Sequence, residues 1–213
     1  MPATTSQLDR AAELKRLLVT FGRTGRLERE FDRTLAERQA ETDLDAVTLT
    51  DRFLLQHKLD DGRTVVEHFV GAHPELSEDD RAMVLAWQDV VEGIFEIEQR
   101  DGEALVAVNL SDDLTYRIRS NKGASLFDPM PEGSFLACRI VPMADEWMLS
   151  GVSRPIPASR RREIYETVMH SFATHKASIF RNKEKLELAW KLQREDREYF
   201  LSFFGTDAHT ATG

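Results

Sequence analysis

The chain contains a single cysteine, Cys138. It can therefore form no internal disulfide and no cysteine-rich zinc site. It also lacks Gly-x-Gly-x-x-Gly, a phosphate-binding loop and Gly-x-Ser-x-Gly, so nucleotide-cradling loops and hydrolase nucleophile elbows find no support. Its apolar runs are only a few residues long, too short to cross a bilayer as a helix. The opening Met1-Pro2-Ala3-Thr4-Thr5-Ser6 has neither a basic region nor an apolar stretch. That is not the form of a signal peptide, and the cytoplasm is the expected location. Internal repeats and low-complexity tracts are missing as well.

What is present is ordinary for a globular protein: 213 residues, 41% hydrophobic and 31% charged, enough chain for one large domain or two small ones around a real core. The net charge of −9 is unevenly spread. Residues 1–90 hold 12 Lys/Arg against 18 Asp/Glu, residues 91–152 hold 5 against 11, and residues 153–205 hold 11 against 7. An acidic body thus carries a basic C-terminal end.

Residues 91–152 have the strongest pattern. Segments 93–100, 103–110, 114–120, 134–141 and 146–150 alternate apolar and polar positions between turn signals, as strands with one dry and one wet face do. Leu114, Tyr116 and Ile118 alternate with Thr115, Arg117 and Arg119, and Cys138 falls with Leu136 and Ile140 on the apolar side as an inert core thiol. Asp101-Gly102 suits a tight hairpin. The loop from Asn121 to Gly133, with Pro129 and Pro131, must cross an edge or a barrel end.

The flanks read as helices. Leu8, Ala11, Leu14, Leu17, Leu18 and Phe21 recur at helical spacing before Gly22 and Gly25, and Leu27, Phe31 and Leu35 follow. Thr48-Leu49-Thr50-Asp51 has the form of a capping box. Val65, Val66, Phe69 and Val70 make a short helix, and Ser77 caps the next. Met83, Trp87, Val90 and Val91 form a stripe that makes Trp87 the plug between helices and strands. After Pro155-Ile156-Pro157, Tyr165, Val168, Met169 and Phe172 mark one helix, and Leu188, Leu192, Tyr199 and Phe203 another.

The expected fold is α+β. Its parts are an N-terminal helical region (1–90), a small five-stranded antiparallel barrel of SH3-like or OB-like type (91–152), a C-terminal helical pair (153–205) and a flexible tail (206–213).

Chemistry is sparse. His57, His68 and His73 lie near Asp60, Asp61 and Glu67, but His68 and His73 miss the i, i+4 spacing that two ligands on one helical face require. Neither metal nor cofactor is expected. Arg154, Arg160, Arg161 and Arg162 gather where a helix begins, against the helix dipole. With Lys183, Lys185, Lys191, Arg194 and Arg197 they could contact phosphates, although Glu163, Glu166, Glu184, Glu187, Glu195 and Glu198 interleave with them.

Three runs carry a resemblance: Phe53-Leu54-Leu55-Gln56-His57-Lys58-Leu59-Asp60-Asp61-Gly62-Arg63-Thr64-Val65-Val66-Glu67-His68-Phe69, Trp87-Gln88-Asp89-Val90-Val91-Glu92-Gly93-Ile94-Phe95-Glu96, and Phe203-Phe204-Gly205-Thr206-Asp207. Together they resemble an uncharacterised family of soluble bacterial proteins with no assigned activity to carry over. The members it resembles continue past the Phe-Gly-x-Asp segment, whereas this chain stops eight residues after Gly205, as a short or a truncated member would. The strands also resemble, more faintly, β regions of bacterial proteins with a Cys-rich zinc tail, and one cysteine gives no basis for zinc here.

The reading is a non-enzymatic interaction or regulatory protein of the bacterial cytoplasm, with a protein partner or self-association and no membrane. Nucleic-acid binding through the basic C-terminal helices is the alternative, disfavoured by charge. A hydrolase using the His57/His68/His73 region is the weaker one.

Overall fold

The computed structural model describes residues 5–37 and 43–174. Five helices come first: α1 (Thr5–Gly22), α2 (Gly25–Glu37), α3 (Asp43–Leu55), α4 (Val65–Ala72) and α5 (Glu78–Ala86). Strands β1 (Val91–Asp101), β2 (Ala104–Asn109), β3 (Thr115–Arg119), β4 (Phe135–Met143) and β5 (Glu146–Ile156) follow, then α6 (Arg161–Thr174). The protein is a mixed α+β structure. The expected second C-terminal helix and tail, with Lys183, Lys185, Lys191, Arg194 and Arg197, lie outside the described residues.

The strands close into a barrel in the order β1-β2-β3-β5-β4. Its pairings are antiparallel except β3 with β5, which run parallel with Ile118 opposite Trp147 and Arg119 opposite Met148. This corrects the all-antiparallel expectation. The 121–133 loop carries the chain across the barrel end, where Phe127 and Met130 plug the interior. β4 therefore enters beside β1, and its hairpin partner β5 returns alongside β3 in the same direction.

Phe95, Ile97, Leu105, Ala107, Tyr116, Ile118, Leu136, Cys138 and Ile140 fill the interior, as alternation requires. Leu114 does not; it is 55% exposed. Asp113 just before it takes a φ of +58°, and the Leu114 amide donates to the Asp112 carboxylate in a turn. The period-two pattern starts only at Thr115, so Leu114 has no strand parity to inherit.

A second core joins the helices to the outer wall of β4 and β5. Leu14, Leu18, Phe53, Leu55, Val66, Phe69 and Trp87 pack with Val141, Met143 and Met148. Trp87 is fully buried and its indole N–H donates to the Pro142 carbonyl at 3.1 Å, so it plugs the boundary as expected, but α5 ends at Ala86, and Val90 and Val91 of the expected helical stripe lie beyond the helix, Val91 in β1. Helix α4 starts on a reciprocal cap between Thr64 and Glu67, and α5 on Ser77. The Thr48-to-Asp51 capping box does not form. Helix α3 begins at Asp43, so Thr50 is interior and its hydroxyl donates back to the Ala46 carbonyl at 2.7 Å. A third cluster, with Ile164, Tyr165 and Val168 against Leu110 and Phe135, lays α6 on another part of the barrel.

Candidate functional site

Where α1 and α3 meet the barrel, polar groups are buried together. Lys15 Nζ donates to Asp51 Oδ1 at 2.7 Å and to Ser150 Oγ at 2.9 Å, and Ser150 Oγ donates to Asp51 Oδ1 at 2.5 Å. Arg139 Nε donates to Asp51 Oδ2 at 2.8 Å, its Nη2 to Gln56 Oε1 at 2.9 Å, and its Nη1 to Glu92. Gly151, at φ +71°, sits in the β5 irregularity with Asp51 beside it, and a side chain there would be strained.

Burial pushes the Asp51 carboxyl up, but Lys15, Ser150 and Arg139 outweigh it and hold the group below its usual range. Burial, with Arg139 adding to it, draws the Lys15 ammonium down against the pull of Asp51. A serine hydroxyl beside a lysine is the material of a nucleophile pair. Here Ser150 is 4% exposed, and the ionised Asp51 accepts hydrogen bonds from both its hydroxyl and the lysine ammonium. The arrangement suits a junction between helices and barrel better than a reactive centre.

The outer wall of β2 and β3 is different. Gln99, Val106 and Arg117 lie side by side across β1, β2 and β3, pointing away from the core that holds Leu105, Ala107 and Ile118. Gln99 is exposed, and Val106 and Arg117 are half-buried. Along this wall Arg117 reaches Asp101 and Glu146, and Arg119 reaches Glu103 and Glu146. Glu146 is buried between the two arginines at the parallel β3–β5 seam. Alternation assigned Arg119 to a wet face, but it is only 7% exposed under these carboxylates.

The expected basic cluster is spread out, and three of its four arginines are paired with carboxylates. Arg154 is exposed on β5. Arg160 pairs with Glu163, and Arg162 with Glu166 at 2.8 Å. Arg161 crosses to Glu96 of β1 at 2.7 Å, with its guanidinium 5.3 Å from the Tyr165 ring centroid. Cationic side chains at this helix start therefore have a local reason: Arg161 ties α6 to the barrel.

The three histidines do not converge. His57 stacks on Phe53 and lines a cleft between α2 and α3. His68 lines a smaller cavity of about 160 Å³, its Nε2 3.0 Å from Asp61. Hydrogen bonds from Arg63 hold that Asp61 carboxyl well below its usual range, with His68 contributing. His73 Nδ1 lies 2.8 Å from the Phe69 carbonyl, with the Phe69 ring against it. Among the described residues no group of three or more His, Cys, Asp or Glu side chains is placed to hold a metal ion. Cys138 is buried in the barrel core, which pushes its thiol up and away from the reactive thiolate. No helix among the described residues is long and apolar enough to cross a membrane.

No family model, curated protein or solved structure matches the chain. The geometry alone carries the functional argument.

Proposed function

We propose that the protein is a non-enzymatic interaction protein of the bacterial cytoplasm, built on an OB-type barrel, which seats a protein partner on the outer wall of β2 and β3. The observation that carries this reading is the strand order β1-β2-β3-β5-β4 with a parallel β3–β5 seam, combined with an outer wall on which Gln99 is exposed and Val106 and Arg117 are half-buried, between the buried Ala104 and Val108 of β2. Barrels of this class bind ligands on the strand 2–3 face and its flanking loops. In this chain helix packing is concentrated elsewhere, on β4 and β5 and beneath α6.

The chemistry of the wall favours a protein over an oligonucleotide. Single strands need basic grooves and exposed aromatic rings on which bases stack. The Arg117 and Arg119 charges are balanced by Asp101, Glu103 and Glu146, and the aromatics Phe95, Tyr116 and Phe135 are buried. A protein surface of mixed charge can exchange ion pairs with such a wall around the half-buried Val106.

The nucleic-acid alternative makes a separable prediction. Binding through Arg154, Arg160, Arg161 and Arg162 would weaken steeply between about 50 and 200 mM salt as counterions are released. Because Glu163, Glu96 and Glu166 accompany three of those arginines, we expect no saturable binding of a labelled single-stranded oligonucleotide in the micromolar range near ~150 mM salt, where the Debye length is about 8 Å. Fluorescence anisotropy on the full chain measures this. Tight, salt-sensitive binding that disappears when all four arginines become alanine would replace the protein-partner reading with the nucleic-acid one.

A further inference from the structure

We propose that the cleft between α2 and α3 is a binding site for a small phosphate-bearing molecule, distinct from the barrel wall. The cleft encloses about 260 Å³ and is lined by Thr34, Leu49, Arg52, Phe53, Gln56, His57 and Lys58. Among the described residues no carboxylate lines it, although residues 1–90 carry six more acidic than basic side chains. A concave surface without acids in an acidic region concentrates positive potential where it can meet a ligand.

The donors are set by their neighbours. Gln56 accepts from Arg139 through Oε1, so its amide N–H groups are turned away from that bond. Among the described residues Glu92 engages Arg52 through Nη2 alone, at 2.9 and 3.0 Å, which leaves Nε and Nη1 of the guanidinium fork. Lys58 is exposed, and its backbone is held by a bridge to Thr64. The His57 ring lies nearly parallel to Phe53, 24° between planes with centroids 5.4 Å apart, so its edge has a defined direction.

A guanidinium fork, an ammonium, an amide and an imidazole together match a phosphate dianion, whose several oxygens take charge-assisted bonds from more than one direction. Phe53 and Leu49 supply an apolar floor for an attached organic group. The volume lies just below the usual range for drug-sized pockets, which fits a small phosphomonoester rather than a dinucleotide. Three features among the described residues oppose an anion: the carbonyl end of α3 at Leu55, the Glu92 carboxylate on Arg52, and the Glu67 carboxylate within electrostatic reach of Lys58. Lys58 and the remaining donors must outweigh them, which makes Lys58 the decisive residue.

The test is an NMR titration of the full chain with inorganic phosphate at constant ionic strength, following the ring resonances of His57 with His68 and His73 as internal references. Ribose 5-phosphate and acetate are run in parallel. The expected result is a saturable shift confined to His57, with an apparent Kd in the millimolar range or tighter, absent with acetate. Lys58→Ala should weaken it by about tenfold or more, and Lys58→Arg should restore most of the loss. Tighter binding of ribose 5-phosphate would assign the site to an organic ester, and equal binding to phosphate itself; either supports the proposal. An immobile His57, a linear shift shared by all three histidines, or an unchanged titration in Lys58→Ala would overturn it.

Discussion

Asp51→Ala should lower the unfolding free energy by about 3–5 kcal/mol, the cost of leaving buried charges without their partner. The residue receives hydrogen bonds from Lys15, Ser150 and Arg139, and the Asp51 and Arg139 side chains are each 4% exposed. Truncation would leave two cations facing each other where water cannot readily reach. A urea titration measures the effect, and an unchanged midpoint would mean that water or rearranged neighbours replace the carboxylate. The pH dependence has a definite sign. Because the folded carboxyl is held below its ordinary range, its contribution is present above the unfolded value of about 3.9 and is lost as pH falls through the lower folded value. Asp51→Asn should therefore show a shallower loss of stability than the parent on the acid side.

Trp87→Ala should cost a similar amount, about 3–5 kcal/mol, through the cavity left by a fully buried indole. The substitution also orphans the Pro142 carbonyl and removes the ring that Lys15 Nζ approaches at 5.7 Å from its centroid. Lys15 thus touches both Trp87 and Asp51. Combining the two substitutions should give a loss that departs from the sum by more than ~0.5 kcal/mol. A folded Trp87→Ala protein with a nearly unmoved urea midpoint would contradict the placement of the indole at the helix–barrel boundary.

The legible and illegible parts of the chain differ in range. Tyr116, Ile118, Leu136, Cys138 and Ile140 reveal their side by alternation alone, and Trp87 by its helical stripe with Met83, because each pattern is local. The parallel β3–β5 seam depends on which way the 121–133 loop crosses the barrel end, a global choice that alternation leaves open. The role of Asp51 is hidden in the sequence for a related reason. Thr-x-x-Asp looks the same at a helix start and inside a helix, and only the position of Lys15 and Arg139 in space makes the carboxylate a junction. The His57 cleft is hidden for a different reason: Arg52, Gln56 and Lys58 are close to His57 in sequence, but only the packing of α2, through Thr34, against α3 makes them the lining of a concave surface. Leu114 shows the opposite error, a pattern extended one residue past the turn that resets it.

The most direct measurement of the proposed function is photo-crosslinking in cells from a benzoylphenylalanine placed at Val106 on the β2 wall, with the same probe at the exposed Asp79 on α5 as reference. A discrete protein adduct is expected from position 106, absent from position 79 and lost when Arg117→Glu is added to the position-106 chain. Adducts that are the same from both positions, or that survive Arg117→Glu undiminished, would contradict a partner seated on this wall.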